Sequence, residues 1–220
     1  MAPLGVVMLL ESASPYISDT DRRFALKPPP IVSAVLGACL LAGCGEPTGT
    51  ASGRAEALIQ DTPTGVPTVT GTLQGNIFAS LSADGIQWQD LGSPNGITVT
   101  LQAIGSSTTV HGQQDAPTAT YDRVRLVFNG VTVTVLAGSM IDGTTLTSNA
   151  TLSLGGTDNR VEIVVAVPQF AVEADPSIQR TIIFELHSQA WLTAAALQTG
   201  QIEDAAIQAA VTTSTRLDPR

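Results

Sequence analysis

Apolar and polar residues alternate along much of the chain with a period of two. Leu73, Ile77, Ala79 and Leu81 alternate with Gln74, Asn76 and Ser80, with Phe78 interrupting the polar side. Ile97, Val99, Leu101 and Ala103 alternate with Thr98, Thr100 and Gln102. The same spacing returns in Leu146, Ala150, Leu152 and Leu154, in Val161, Ile163, Val165 and Val167 after a loop at 155–159, and in Ile182, Phe184 and Leu186. Each set predicts a strand with one buried face. Residues 190–197 and 202–206 have helical potential, and the alternation from Ile207 through Val211, Thr213 and Thr215 to Leu217 predicts a closing strand. Around Asn129-Gly130 the apolar set changes parity, from Val124, Leu126 and Phe128 to Val131, Val133 and Val135. Asn-Gly favours a two-residue hairpin turn. Such a turn pairs 128 with 131 and 124 with 135, placing all six apolar side chains on one face and Arg123, Arg125, Thr132 and Thr134 on the other. Seven or eight short antiparallel strands predict an all-β fold, an antiparallel β-sandwich of immunoglobulin-like kind.

The N-terminal region follows another pattern. Arg22, Arg23 and Lys27 precede three prolines and an apolar run over residues 31–43. The run is short of the ~20 residues that span a bilayer as a helix and has the length of a signal-peptide core. It ends in Leu41-Ala42-Gly43-Cys44, which resembles the lipobox of bacterial lipoproteins, where the cysteine thiol takes a diacylglycerol and the chain is cut just before it. The resemblance implies a lipoprotein signal peptide over 1–43, lipidation of Cys44 and a membrane partner reached through that lipid. Two or more acyl chains give stable anchoring. Glu11, Asp19 and Asp21 are unusual in a signal peptide, and a translation start placed too far upstream accounts for them. Gly45, where an aspartate often marks inner-membrane retention, favours the outer membrane or the cell surface. Residues 44–70, small, polar and Pro-rich, read as an acylated flexible tether with a helical turn near 54–60, and 71–220 as the sandwich domain.

The order of segments in 72–217 resembles a group of bacterial lipoproteins catalogued as domain of unknown function 4382. The residues that carry the likeness are Tyr-Asp-Arg-Val-Arg-Leu-Val at 121–127, Phe170-Ala171-Val172, and Ile182, Phe184 and Leu186 running on to Trp191. The Asp-Ala-Pro of that family's first strand has no counterpart in place; Asp84-Gly85 lies near it and Asp115-Ala116-Pro117 comes later. The resemblance implies a prealbumin-like sandwich and no particular activity.

Charge narrows the choice of partners. From Cys44 onward the chain has seven arginines, no lysine and sixteen acids, a net charge of −9. No basic patch is available for phosphate contacts, which sets nucleic acid aside. Cys39 and Cys44 are the only cysteines, so disulfides and thiolate metal sites cannot support the domain. The absence of lysine removes Schiff-base and P-loop chemistry, and two histidines cannot build a three-histidine zinc site. The common nucleophile-elbow, zincin and dinucleotide motifs are missing. Glu185 and His187, two apart on one predicted strand face, are the residues best spaced to meet a ligand, or to serve as an acid–base pair. His111 reads as a loop residue. Asp84, Asp142 and Asp158-Asn159 lie in Gly-rich turns of the kind that gather oxygen ligands around calcium, although such turns favour Asp and Asn for backbone reasons alone. Trp88 and Trp191 are the only tryptophans, and an exposed one would offer a sugar a stacking platform. The chain reads as a non-enzymatic, membrane-anchored envelope or surface module for binding or structure. Its ligand is an unidentified protein or glycan, and no cofactor is called for. A carboxylate-dependent hydrolase of envelope polymers, or a sugar- or calcium-binding module, is the alternative.

Overall fold

The computed structural model describes residues 51–155 and 158–220. The expected signal segment and the lipid attachment point Cys44 lie outside them. Thirteen strands occur among the described residues: β1 (Ser52–Gln60), β2 (Gly71–Ser82), β3 (Gln89–Asp90), β4 (Asn95–Thr100), β5 (Ser107–Pro117), β6 (Ala119–Val135), β7 (Met140–Ile141), β8 (Thr144–Thr145), β9 (Ala150–Leu154), β10 (Arg160–Val172), β11 (Ile178–Glu185), β12 (Gln201–Ile202) and β13 (Thr212–Pro219). Two short helices, α1 (Ala194–Thr199) and α2 (Asp204–Ala210), precede the last strand. The all-β, sandwich-like architecture is therefore as expected, with more strands and with mixed pairing. β1 runs parallel to β11, and β12 parallel to β9.

β6 is the spine of the larger sheet, and it corrects the expected hairpin. The chain does not reverse at Asn129-Gly130. β2 pairs antiparallel with both halves of β6, from Gly71 opposite Val135 to Ser82 opposite Arg123. Gly130 and Val131 together oppose the single residue Gly75, and Gly130 is left-handed at φ 60°. This is a bulge with glycine in the left-handed position. One extra residue shifts the side-chain parity just as a two-residue turn does, so Val124, Leu126, Phe128, Val131, Val133 and Val135 still share the buried face. A Cβ on Gly75 would stand 2.6 Å from Val131 Cγ2, so the bulge closes only against glycine.

On its other side β6 meets β10 along 119–129 and β9 along 132–135, both antiparallel. β9 and β10 thus run in the same direction along one edge of β6. β3 and β4 likewise share one edge of β2, each antiparallel to it.

The smaller sheet has the order β13-β11-β1-β5. β1 falls within the expected tether, and here the expectation is overturned. Residues 52–60 form an inner strand, paired along both edges, with Ala55, Ala57 and Ile59 fully buried. Pairing on both sides outweighs the helix propensity of Arg-Ala-Glu-Ala-Leu, since tertiary context routinely overrides local preference. Inner-face residues of both sheets, from Ile59, Ile182 and Phe184 to Leu73, Leu126 and Phe128, make one hydrophobic core. No disulfide contributes, and apolar burial carries the fold.

At one end of the sandwich the Asp61 carboxylate, 1% exposed, accepts the backbone amides of Gln102 and Ser188, both at 2.8 Å. The Gln102 side-chain oxygen accepts those of Thr68 at 2.7 Å and Val69 at 3.0 Å. This buried network ties the ends of β1, β4 and β11 to the segment that leads into β2, and it satisfies polar groups that would otherwise be costly to bury. Near the C-terminus α2 takes Ile207 and Ala209 from the expected closing strand, which begins only at Thr212. No helix among the described residues is long and apolar enough to cross a membrane.

The position of β1 is directly testable. Ile59→Ala should cost about 2–5 kcal/mol, the usual range for truncating a buried isoleucine. It would appear as a lower urea midpoint with an unchanged slope. An unchanged midpoint would return residues 52–60 to a tether.

Candidate functional site

Glu185 and His187 do not form an acid–base pair. β11 ends at Glu185, and His187 is left-handed at φ 49°, which breaks the alternation that would have aligned the two side chains. The Glu185 carboxylate accepts from the Gln60 amide on β1, while His187 Nε2 lies 2.9 Å from the Thr212 hydroxyl on β13. The two side chains are thus held by strands on opposite sides of β11.

Two of the calcium candidates, Asp84 and Asp142, are likewise occupied with the protein's own backbone. Asp84 Oδ1 accepts the amides of Ile86 and Gln87, both at 2.8 Å, and the Ser82 hydroxyl at 3.0 Å. Asp142 accepts the Ala194 amide at 2.8 Å, at the start of α1. Asp158 is exposed in a separate turn. Among the described residues no three acidic, histidine or cysteine side chains converge as metal ligands.

The most developed polar constellation lies on the outer face of the larger sheet. The registers of β3, β2 and β6 set Asp90, Ser80 and Arg125 in one row. Ser80 Oγ donates to Asp90 Oδ1 at 2.6 Å, and Arg125 Nη2 donates to Ser80 Oγ at 3.1 Å and Asp90 Oδ1 at 3.3 Å. Arg125 Nη1 reaches Glu162 on β10 at 3.4 Å. The Arg125 side chain is only 16% exposed and Ser80 is fully buried, although both point away from the core. The segment between β2 and β3 folds back over them, and the indole of Trp88 lies 4.5 Å from the guanidinium carbon, in cation–π contact.

Beside Trp88 opens a shallow recess of about 280 Å³, lined by Leu81, Asp84, Gln87, Trp88, Gln89 and Tyr121. Tyr121 is almost buried, and its hydroxyl donates to the Pro117 carbonyl at 2.8 Å, leaving the phenolic oxygen as an acceptor. The Asp84 contacts shape the rim as a tight turn. Trp191, by contrast, is 1% exposed, and its indole N–H is spent on the Leu186 carbonyl at 2.8 Å. Of the two tryptophans, only Trp88 reaches the surface.

Sequence reasoning assigned Arg125 to the polar face but not to this constellation. Besides Ser80 on β2 and Glu162 on β10, its partners come from β3, a strand of two residues with no periodic signal, and from a loop whose path depends on the sheet beneath it.

His111 is a strand residue on β5 rather than a loop residue, and it is 6% exposed. Its Nδ1 would lie 2.7 Å from a Cβ on Gly92, and its Nε2 is buried with no hydrogen-bond partner among the described residues. Burial lowers its pKa below the ordinary 6.5, with the Asp90 charge opposing in part. Three carboxyls are held below their ordinary 3.8: Asp84 by the amides of Gln87 and Ile86, Asp175 by Ser177, and Asp218 by the Thr181 hydroxyl and then Arg216.

No family model matches the chain, and neither a curated protein nor a solved structure matches it. Fold and surface together define a small β-sandwich with a polar, aromatic-walled recess where the β2–β3 segment meets the ends of β2 and β6.

The two kinds of pKa shift act in different pH windows. The folded state favours neutral His111, so stability should fall as pH drops below about 6.5, where the unfolded chain takes up the proton. The carboxyl contributions are fully present above 3.8 and are lost as pH falls further. A melting-temperature series against pH should therefore decline in two stages, and His111→Gln should abolish the first. A variant that keeps both stages would place the neutral-side titration elsewhere.

Proposed function

We infer that this protein is a bacterial lipoprotein, anchored through lipid on Cys44, whose β-sandwich serves outside the cytoplasm as a non-enzymatic binding or structural module. The observation that carries this reading is Cys44 itself, placed after Leu41-Ala42-Gly43 at the end of a short apolar run preceded by Arg22, Arg23 and Lys27. Gly45 favours the outer membrane or the cell surface. The likeness of Tyr121, Arg125 and Val127, and of Phe170 and Val172, to domain of unknown function 4382 lipoproteins points the same way.

Several features of the domain support the reading. Its core needs no disulfide, which suits a chain whose cysteines both sit at the export signal. An acidic surface without lysine suits a domain attached to the membrane through its acyl group rather than by charge, because an anionic lipid surface would repel it. The carboxylates best placed for chemistry, Asp84, Asp142 and Glu185, are engaged by backbone amides or by Gln60.

The intact mass of the protein extracted from cell membranes tests the anchor. The expected mass is that of residues 44–220 plus acyl groups, and Cys44→Ala should lose both the cleavage and the acylation. An uncut, unacylated wild-type chain would overturn the reading.

A further inference from the structure

We propose that the recess beside Trp88 is a binding site for one unit of a neutral glycan, stacked on the indole and hydrogen-bonded at its rim. This deepens the reading of a binding module by naming its ligand class.

Trp88 is held as a platform. Its ring is contacted by Arg125, whose guanidinium is fixed in turn by Ser80, Asp90 and Glu162. Trp88 lines the recess and Arg125 does not. An aromatic ring pinned from behind gives up little freedom when a ligand stacks on it, which is the general advantage of preorganisation. The apolar C–H face of a pyranose fits such a surface.

The rim supplies what a polyol needs. Gln87 and Gln89 carry amides that both donate and accept, and Gln89 already holds the Asp90 carbonyl at 3.2 Å. Asp84 Oδ1 is engaged by amides, and its Oδ2 is the remaining acceptor on that side. A sugar hydroxyl, at once donor and acceptor, is complementary to this set.

Size and charge limit the choice further. About 280 Å³ is slightly below the ~300 Å³ at which sites for whole drug-sized ligands begin. That volume suits a single sugar ring of a longer chain that continues into solvent. Asp84 is the one charged residue that lines the recess, so an anionic sugar or a phosphate is disfavoured there.

The test is saturation-transfer NMR on the full chain in detergent micelles, with cellotetraose, maltotetraose and chitotetraose at millimolar concentration as probes. Transfer from the protein to the ring protons of at least one probe is expected. Trp88→Ala should weaken that binding at least tenfold, and Trp88→Phe less, with the fold of each variant checked by its melting curve. Should Trp88→Ala fail to fold, Trp88→Phe and Gln87→Ala carry the comparison, and both should weaken binding.

No transfer to any of the three probes would overturn the proposal, as would binding unchanged in the folded Trp88 variants. Binding confined to a cationic chitosan oligomer and abolished by salt would also overturn it, since charge rather than stacking would then hold the ligand. The outcome is separable from that of the anchor. A lipidated chain that binds no sugar leaves Cys44 standing, and an unlipidated chain that binds sugar leaves the recess standing.

Discussion

The register of β6 against its neighbours is the constraint on which the rest of the molecule depends. Because the strand continues through a one-residue bulge at Gly130, its first half lies between β2 and β10, and its second half between β2 and β9. Arg125 consequently stands opposite Ser80, within reach of Asp90 and Glu162. A reversal at Asn129-Gly130 would set Arg125 opposite Thr134 instead. The guanidinium would then have no acidic neighbours to fix it, and Trp88 would have nothing to rest on. The same continuity brings Tyr121 to the recess wall near one end of β6. A single glycine conformation, accommodated by the missing Cβ of Gly75 across the ladder, thus connects the topology of the core to the chemistry of the surface.

Parts of both sheets were legible in the sequence, because apolar residues recur there with a period of two. In β2 and β9 of the larger sheet the outward positions are mostly Thr, Ser, Asn or Gln, while β10 and, in the smaller sheet, β11 keep the inward apolar series. β1 was not legible in this way. Its inner face is Ala55, Ala57 and Ile59, and Leu58 sits on the outer side, so the amplitude of the alternation is small and the local composition favours helix. β5 was hidden for a different reason. Its register against β1 shifts twice between Ala55 and Leu58, and each shift disrupts the parity that a periodic reading relies on. The bulge in β6 was beyond reach in principle, since a two-residue turn and a one-residue insertion bury the same six side chains.

The surface was less legible than the core. Glu185 and His187 have the spacing of a shared strand face, but spacing says nothing about where the strand stops. The left-handed backbone at His187 sends the imidazole to Thr212 while Glu185 is held from the β1 side. Asp84 and Asp142, in Gly-rich turns, are explained by the backbone amides they accept. The Trp88 recess joins a loop, a two-residue strand and side chains from two long strands, and only the sheet register brings these together. Its one sequence signal was the scarcity of tryptophan, which made it worth asking which of the two reaches the surface.

Cross-strand proton contacts in the NMR spectrum of the folded chain test this account most directly. Contacts of Asn129 with Asn76 and of Thr132 with Gln74, on either side of Gly130, are expected, together with contacts between Arg125 and Ser80. Contacts pairing Phe128 with Val131 and Arg125 with Thr134 across a tight turn would contradict it. The spine, the row of charges and the platform for Trp88 would then fall together.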